Sequence, residues 1–125
     1  MNTTTTNELN SYIIDKLNDL RGSDIYGCDL HNEIFNTDYF IIGYYQAEQW
    51  LIANGGIFNA IDEIKEYEES NFGEVMTDFS SSEKVCNMYV YILGEQILNN
   101  CETLRECWDD YLTDENIDQL INELN

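Results

Sequence analysis

Ser82-Glu83-Lys84-Val85-Cys86-Asn87-Met88-Tyr89-Val90-Tyr91-Ile92-Leu93-Gly94-Glu95-Gln96-Ile97-Leu98-Asn99 is the stretch on which the fold turns. Val85, Met88, Tyr89, Ile92, Leu93 and Ile97 recur at intervals of three and four, which is the period of a helix face and not of a strand. The run is long and poor in charge, so the spacing predicts a helix over Glu83–Asn99, capped by Ser82 and buried at the centre of a helical bundle.

Working outward, Phe72–Ser82 breaks the period. Gly73 and Ser80-Ser81-Ser82 mark it as a loop, with a short strand over Glu74–Phe79 as the alternative. Before it, Ile57, Ala60, Ile61, Ile64 and Tyr67 form the stripe of a fourth helix whose other face is acidic. Asn54-Gly55-Gly56 separates that helix from a third, Asp38–Asn54, capped by Thr37. Phe40, Ile41, Tyr44, Ala47, Trp50 and Leu51 make this third helix apolar on most sides, so it is expected beside the Glu83–Asn99 helix. Cys28–Asn36 reads as a brief helix with Leu30, Ile34 and Phe35 inward. Asn7–Arg21 reads as the first helix, with Leu9, Ile13, Leu17 and Leu20 buried, Thr6 as its cap and Gly22 at its end. Downstream, Cys101–Leu112 is predicted as a helix burying Leu104, Cys107, Trp108 and Tyr111. Thr113 then caps a last helix with Ile117, Leu120, Ile121 and Leu124 as its stripe. The expectation is an all-α, compact single-domain bundle of five to seven helices over residues 7–125, preceded by a frayed tail at 1–6.

Composition agrees with a folded chain. The 125 residues are 43% hydrophobic and 13% aromatic and contain no proline, so high net charge does not imply disorder. Met1–Asn7 is polar and lacks a basic segment leading into an apolar run, which argues against a secretory signal. Tyr39–Ala53, the longest apolar run, is interrupted by Gln46, Glu48 and Gln49 and is too short to span a bilayer. Cys28, Cys86, Cys101 and Cys107 form no C-x-x-C pair and are expected as reduced thiols of a cytoplasmic protein.

The charge is the dominant signal: 25 acidic residues against 5 basic ones leave a formal net charge of -20. This argues against direct nucleic-acid binding and disfavours attraction to anionic membranes, both of which depend on Lys and Arg. The acids are also patterned. Asp62, Glu66 and Glu69, at i, i+4 and i+7, form a row opposite the isoleucine stripe, with Glu63, Glu68 and their neighbours crowding the same helix. Glu102, Glu106, Asp109 and Asp110 are expected to form a second row, followed by Asp114, Glu115, Asp118 and Glu123. Like charges at this spacing cost about 0.2–0.5 kcal/mol per pair, with only Lys65 and Arg105 nearby to relieve them. Duplex DNA carries one negative charge per roughly 1.7 Å of axis, so the net charge equals that of roughly ten base pairs.

In size, helical pattern and charge the chain resembles the small bacteriophage and mobile-element anti-defence proteins that imitate DNA. The stretch Tyr26-Gly27-Cys28-Asp29-Leu30-His31-Asn32-Glu33-Ile34-Phe35-Asn36-Thr37-Asp38-Tyr39-Phe40-Ile41-Ile42-Gly43-Tyr44-Tyr45 looks like a segment of uncharacterised phage proteins. The resemblance implies an inhibitor that blocks a restriction or CRISPR nuclease in the cytoplasm of a bacterial host cell. Its partner would be a basic nucleic-acid-binding protein or nuclease complex, met by Asp62, Glu63, Glu66, Glu69, Glu102, Glu106, Asp109, Asp110, Asp114 and Asp118 in place of phosphates. An immunity protein or antitoxin against a basic nuclease is the alternative within binding proteins. An acidic face serving only solubility is the plainest one.

Chemistry finds little support in the motifs. Cys28, His31, Cys101 and Cys107 lack the paired spacing of a structural zinc site, and the single histidine excludes a di-iron bundle. No calcium loop, phosphate-binding glycine loop or nucleophile elbow is present. A metal-dependent hydrolase using Asp62, Glu66 and Glu69 would need a converging Lys or Arg for substrate phosphate, and none is in the pattern. The expectation is therefore a protein that is not an enzyme and needs no cofactor. Tyr39, Tyr44, Tyr45, Tyr89, Tyr91 and Trp50 exceed what one small core requires and point to a self-association surface, hence a homodimer.

Overall fold

In the computed structural model, residues 1–35 and 42–125 are described, and among them the chain is all-α. The described residues form seven α-helices: α1 (Thr3–Asp19), α2 (Leu30–Ile34), α3 (Tyr44–Ala53), α4 (Gly56–Phe72), α5 (Ser82–Asn99), α6 (Glu102–Glu106) and α7 (Asp114–Leu124). A 3-10 turn, Gly27–Asp29, precedes α2. The only pairing of extended backbone among the described residues is an antiparallel bridge between Tyr26 and Tyr111, and Glu74–Phe79 is irregular. The predicted Thr37 cap, and Asp38, Tyr39, Phe40 and Ile41, lie outside the described residues. The chain divides into two compact units, Met1–Thr5 with Phe35–Leu93 and Thr6–Ile34 with Gly94–Asn125, so the divide falls within α1 and within α5.

In the first unit α3 packs on α4, burying Ala47, Trp50 and Leu51 from one and Ala60 and Ile64 from the other. The third helix begins at Tyr44, because Gly43 is extended and its carbonyl accepts the first helical bond, from Ala47 N–H, at 3.1 Å. Gly43, expected inside a helix, is thus its N-cap. The turn between α3 and α4 needs glycine at Gly55, whose φ is 114° and whose absent Cβ would meet the Asn59 side chain at 2.9 Å. Ile57, predicted in the stripe, is exposed. The first helix starts at Thr3: Asn2 Oδ1 accepts the Thr5 N–H, Asn54 Oδ1 accepts the Asn2 N–H, and Thr5 Oγ1 accepts from Asn54 Nδ2. These bonds order Thr3–Thr6, which sequence reading leaves as a frayed tail, because their partner Asn54 is some fifty residues away.

Within the same unit α5 buries Val85, Met88, Tyr89, Ile92 and Leu93, as the periodicity predicts, and also Cys86 and Val90. Tyr44, Glu48 and Leu51 of α3 line a common groove with Ser82 and Cys86, so the expected neighbourhood of the two helices is present. The cap is Ser81, one residue earlier than expected, with its Oγ accepting from Lys84 N–H at 3.3 Å.

The second unit is built on Leu9, Ile13 and Leu17, each fully buried, together with Leu30, Ile34, Leu98 and Leu104. The stripe of α7, Ile117, Leu120 and Leu124, is buried too, each side chain contributing about 1.5–3 kcal/mol. Thr113 caps α7 as expected, and Asn116 completes a reciprocal capping box. The sixth helix, by contrast, stops at Glu106 instead of running to Leu112. Past it, Trp108 and Asp110 carbonyls accept from Cys28 and Gly27 N–H groups, and Leu112 N–H donates to the Ile25 carbonyl. In a helix running to Leu112 the Trp108 carbonyl and the Leu112 N–H would bond each other, so pairing with residues 25–28 replaces that helical turn. Gly27 permits this approach: a Cβ there would collide with the Cys107 carbonyl. Trp108 and Tyr111, predicted as buried, are 44% and 52% exposed as a result.

Candidate functional site

The α4 row survives folding. Asp62, Glu66 and Glu69 are all exposed, on the face away from Ala60 and Ile64. Lys65 sits within one turn of both Asp62 and Glu69, yet its ammonium lies 5.5 Å from the Phe79 ring centre and makes no ion pair among the described residues. Glu69 also falls in the last turn of α4, where the helix dipole disfavours negative charge. Nothing in the helix itself stabilises this row.

Two neighbours on α4 turn inward. Glu63 is half-buried against the Tyr89 phenol, whose ionisation is pushed well up by burial first, then by the Glu63 charge and hydrogen bond. Glu68 is 3% exposed and clamps the following loop. Its Oε1 accepts the Met76 and Thr77 N–H groups at 3.2 and 3.0 Å, and its Oε2 accepts the Thr77 hydroxyl at 2.9 Å. The clamp borders a cavity of about 390 Å³ that Phe72, Met76, Lys84 and Tyr91 help to line. At the far end of that loop the Ser80 hydroxyl and N–H hold the Asp78 carboxyl below its ordinary range, with a smaller pull from Lys84.

In the second unit the predicted row is broken. Glu102 and Glu106 are exposed on α6, but Asp109 and Asp110 stand in the turn beyond it, also exposed, and do not continue its face. Asp114 and Asp118 are exposed on α7, where Asp114 sits in the first turn and is favoured by the dipole. Asp118 is paired with Arg21 at 2.6 Å, and Arg21 also reaches the Asp114 carbonyl, so this acid is partly neutralised. Arg105 donates to the Asn99 carbonyl at 2.9 Å and closes the end of α5 instead of relieving Glu102 or Glu106. Glu123 accepts from Thr103 N–H at the start of α6. Of the ten candidate acids, Asp118 alone is ion-paired among the described residues.

Sequence reading passes over a further acidic recess in this unit. Asp24, Asp29 and Glu33 surround Tyr26 and Tyr111 in a hollow of about 430 Å³, with the two rings stacked at 4.1 Å. The bond from Tyr26 to Tyr111, then the Tyr111 charge, push the Tyr26 phenol up. The signal for this group is tertiary, because the bridge between residues 26 and 111 brings it together.

Thiol chemistry is subdued: the four cysteines are free, and burial raises Cys86, Cys107 and Cys101, the last to about 11 with a further contribution from Glu123. His31 Nδ1 lies 3.6 Å from Glu95 Oε2. Among the described residues no group of three or more His, Cys, Asp or Glu is arranged to hold a metal ion, and no helix is long and apolar enough to cross a membrane. No protein-family model, curated protein or solved structure matches the chain.

Proposed function

We propose that this protein is an acidic inhibitor that occupies the basic cleft of a nucleic-acid-binding defence enzyme, presenting carboxylates where duplex DNA presents phosphates. The observation that carries the reading is the α4 row. Asp62, Glu66 and Glu69 are exposed and make no ion pair among the described residues, Glu69 sits against the helix dipole, and the three keep their mutual repulsion although Lys65 is within reach. A face serving only solubility gains nothing from placing acids where they cost stability. A row meant for a partner's Lys and Arg recovers that cost on binding. The exposed Glu102, Glu106, Asp109, Asp110 and Asp114 supply further charge in the second unit, and the stacked tyrosines with Asp24, Asp29 and Glu33 suit a guanidinium. The same reading puts the protein in the cytoplasm of a bacterial host cell, a compartment that the four free thiols support.

The test is affinity capture from a bacterial lysate at low salt, with elution along a salt gradient, comparing the wild type with Asp62→Lys/Glu66→Lys/Glu69→Lys. One DNA-binding enzyme held by the wild type and lost by the folded variant is the expected result. Retention and inhibition that survive the reversal overturn the proposal.

A further inference from the structure

A cluster of exposed apolar residues lies where charge is sparse. Between Glu48 and Asp62 the sequence holds no charged residue, in a chain with 30 of them. This interval forms the end of α3 and the start of α4, and it is not spent on the core alone. Phe58 is 82% exposed, Tyr45 75% and Ile52 58%, with Tyr44 and Ile57 also exposed. Tyr45 and Ile52, seven residues apart, share one face of α3. Tyr44, Leu51, Ile52 and Ile57 line a single groove of about 300 Å³, whose one charged member, Glu48, accepts a hydrogen bond from the Tyr44 hydroxyl at 3.0 Å.

We propose that this face of α3 and α4 joins two copies of the chain about a two-fold axis, with the Phe58 side chain of each copy entering the groove of the other. Charge selects the occupant. A basic cleft would find no carboxylate row here, whereas a second copy at -20 meets least repulsion at a patch whose one charged residue is Glu48. Phe58 protrudes one residue beyond Ile57, which lines the recess, so ring and recess are neighbours, as a self-complementary interface requires. Its area suffices: the two exposed aromatics and their aliphatic neighbours offer on the order of 500 Å² per copy, a core to which a polar rim adds towards the roughly 800 Å² of a standard interface. The inference is independent of the proposed inhibitory role, because it uses none of the acidic candidates.

The two interactions have opposite salt dependences. Screening weakens capture of a basic partner but relieves the mutual repulsion of two acidic chains. Light scattering after gel filtration, at about 0.05 M and about 0.5 M salt, should show a mass moving from 14.6 kDa towards twice that value as salt rises. Phe58→Glu, at an exposed position that leaves the core intact, should remain monomeric at both salts with unchanged helicity by circular dichroism. Met76→Glu, which alters an exposed apolar residue of the 73–81 loop, should dimerise as the wild type does. A wild type that stays monomeric at high salt overturns the proposal and leaves the face to a different partner. So does a dimer that persists in Phe58→Glu, or one that salt dissociates.

Discussion

Glu68→Ala removes the carboxylate that ties the loop after α4 to the helix. Three donors lose their acceptor, the Met76 and Thr77 N–H groups at 3.2 and 3.0 Å and the Thr77 hydroxyl at 2.9 Å. Hydrogen bonds to a charged group contribute about 1.5–3 kcal/mol each, but Met76 is 64% exposed and its amide can turn to water. The net cost should therefore be about 2–4 kcal/mol, less than three full bonds. Glu68→Gln keeps one oxygen able to accept both amides, while its NH₂ can donate to the Thr77 hydroxyl, so only charge assistance is lost, roughly 1 kcal/mol. Urea denaturation should rank wild type above Glu68→Gln above Glu68→Ala. Amide exchange in Glu68→Ala should accelerate at Met76 and Thr77 before the interior of α5 responds. An alanine variant within about 0.5 kcal/mol of wild type, or unchanged exchange at those two amides, refutes the clamp.

Gly27→Ala should be among the most destabilising single changes, about 3 kcal/mol or more, because the new methyl meets the Cys107 carbonyl and the Trp108 backbone, neither of which can rotate away; thermal unfolding and loss of the Tyr26–Tyr111 stacking signal would register it. Thr113→Ala should cost about 1 kcal/mol, through loss of the box with Asn116, read as a lower denaturation midpoint with an unchanged slope. Alkaline pH should weaken the fold through Cys101, since burial raises its thiol from 9.0 to about 11 and the unfolded chain ionises first. That contribution is fully present below pH 9.0 and lost as the pH rises through about 11, on the order of 1 kcal/mol once solvent screening is discounted. Denaturation at stepped pH should show the decline, and Cys101→Ala should flatten it.

What sequence reading recovers depends on whether the cause is local. The stripes of α1, α5 and α7 follow from repeats of three and four residues, and Thr113 marks its helix start because its partner Asn116 is only three residues on. The α4 row is legible for the same reason. The errors share a different origin. Thr3–Thr6 joins α1 through Asn54, and Trp108 and Tyr111 leave their expected helix through pairing with residues 25–28. Glu68 turns from surface charge into a buried clamp through a loop that has no period of its own. Half of the second acidic row moved with the end of α6, so Asp109 and Asp110 kept their exposure but lost their alignment. The Asp24, Asp29 and Glu33 recess exists only once residues 26 and 111 meet.

Competition with DNA addresses the central claim most directly. With the captured enzyme immobilised and the wild-type protein bound at low salt, unlabelled duplex DNA is titrated in and release is followed. The account predicts displacement by duplex, release by rising salt, and no binding by the variant reversed at Asp62, Glu66 and Glu69. A complex that holds through saturating duplex and through salt, or that forms equally well with the reversed row, contradicts it.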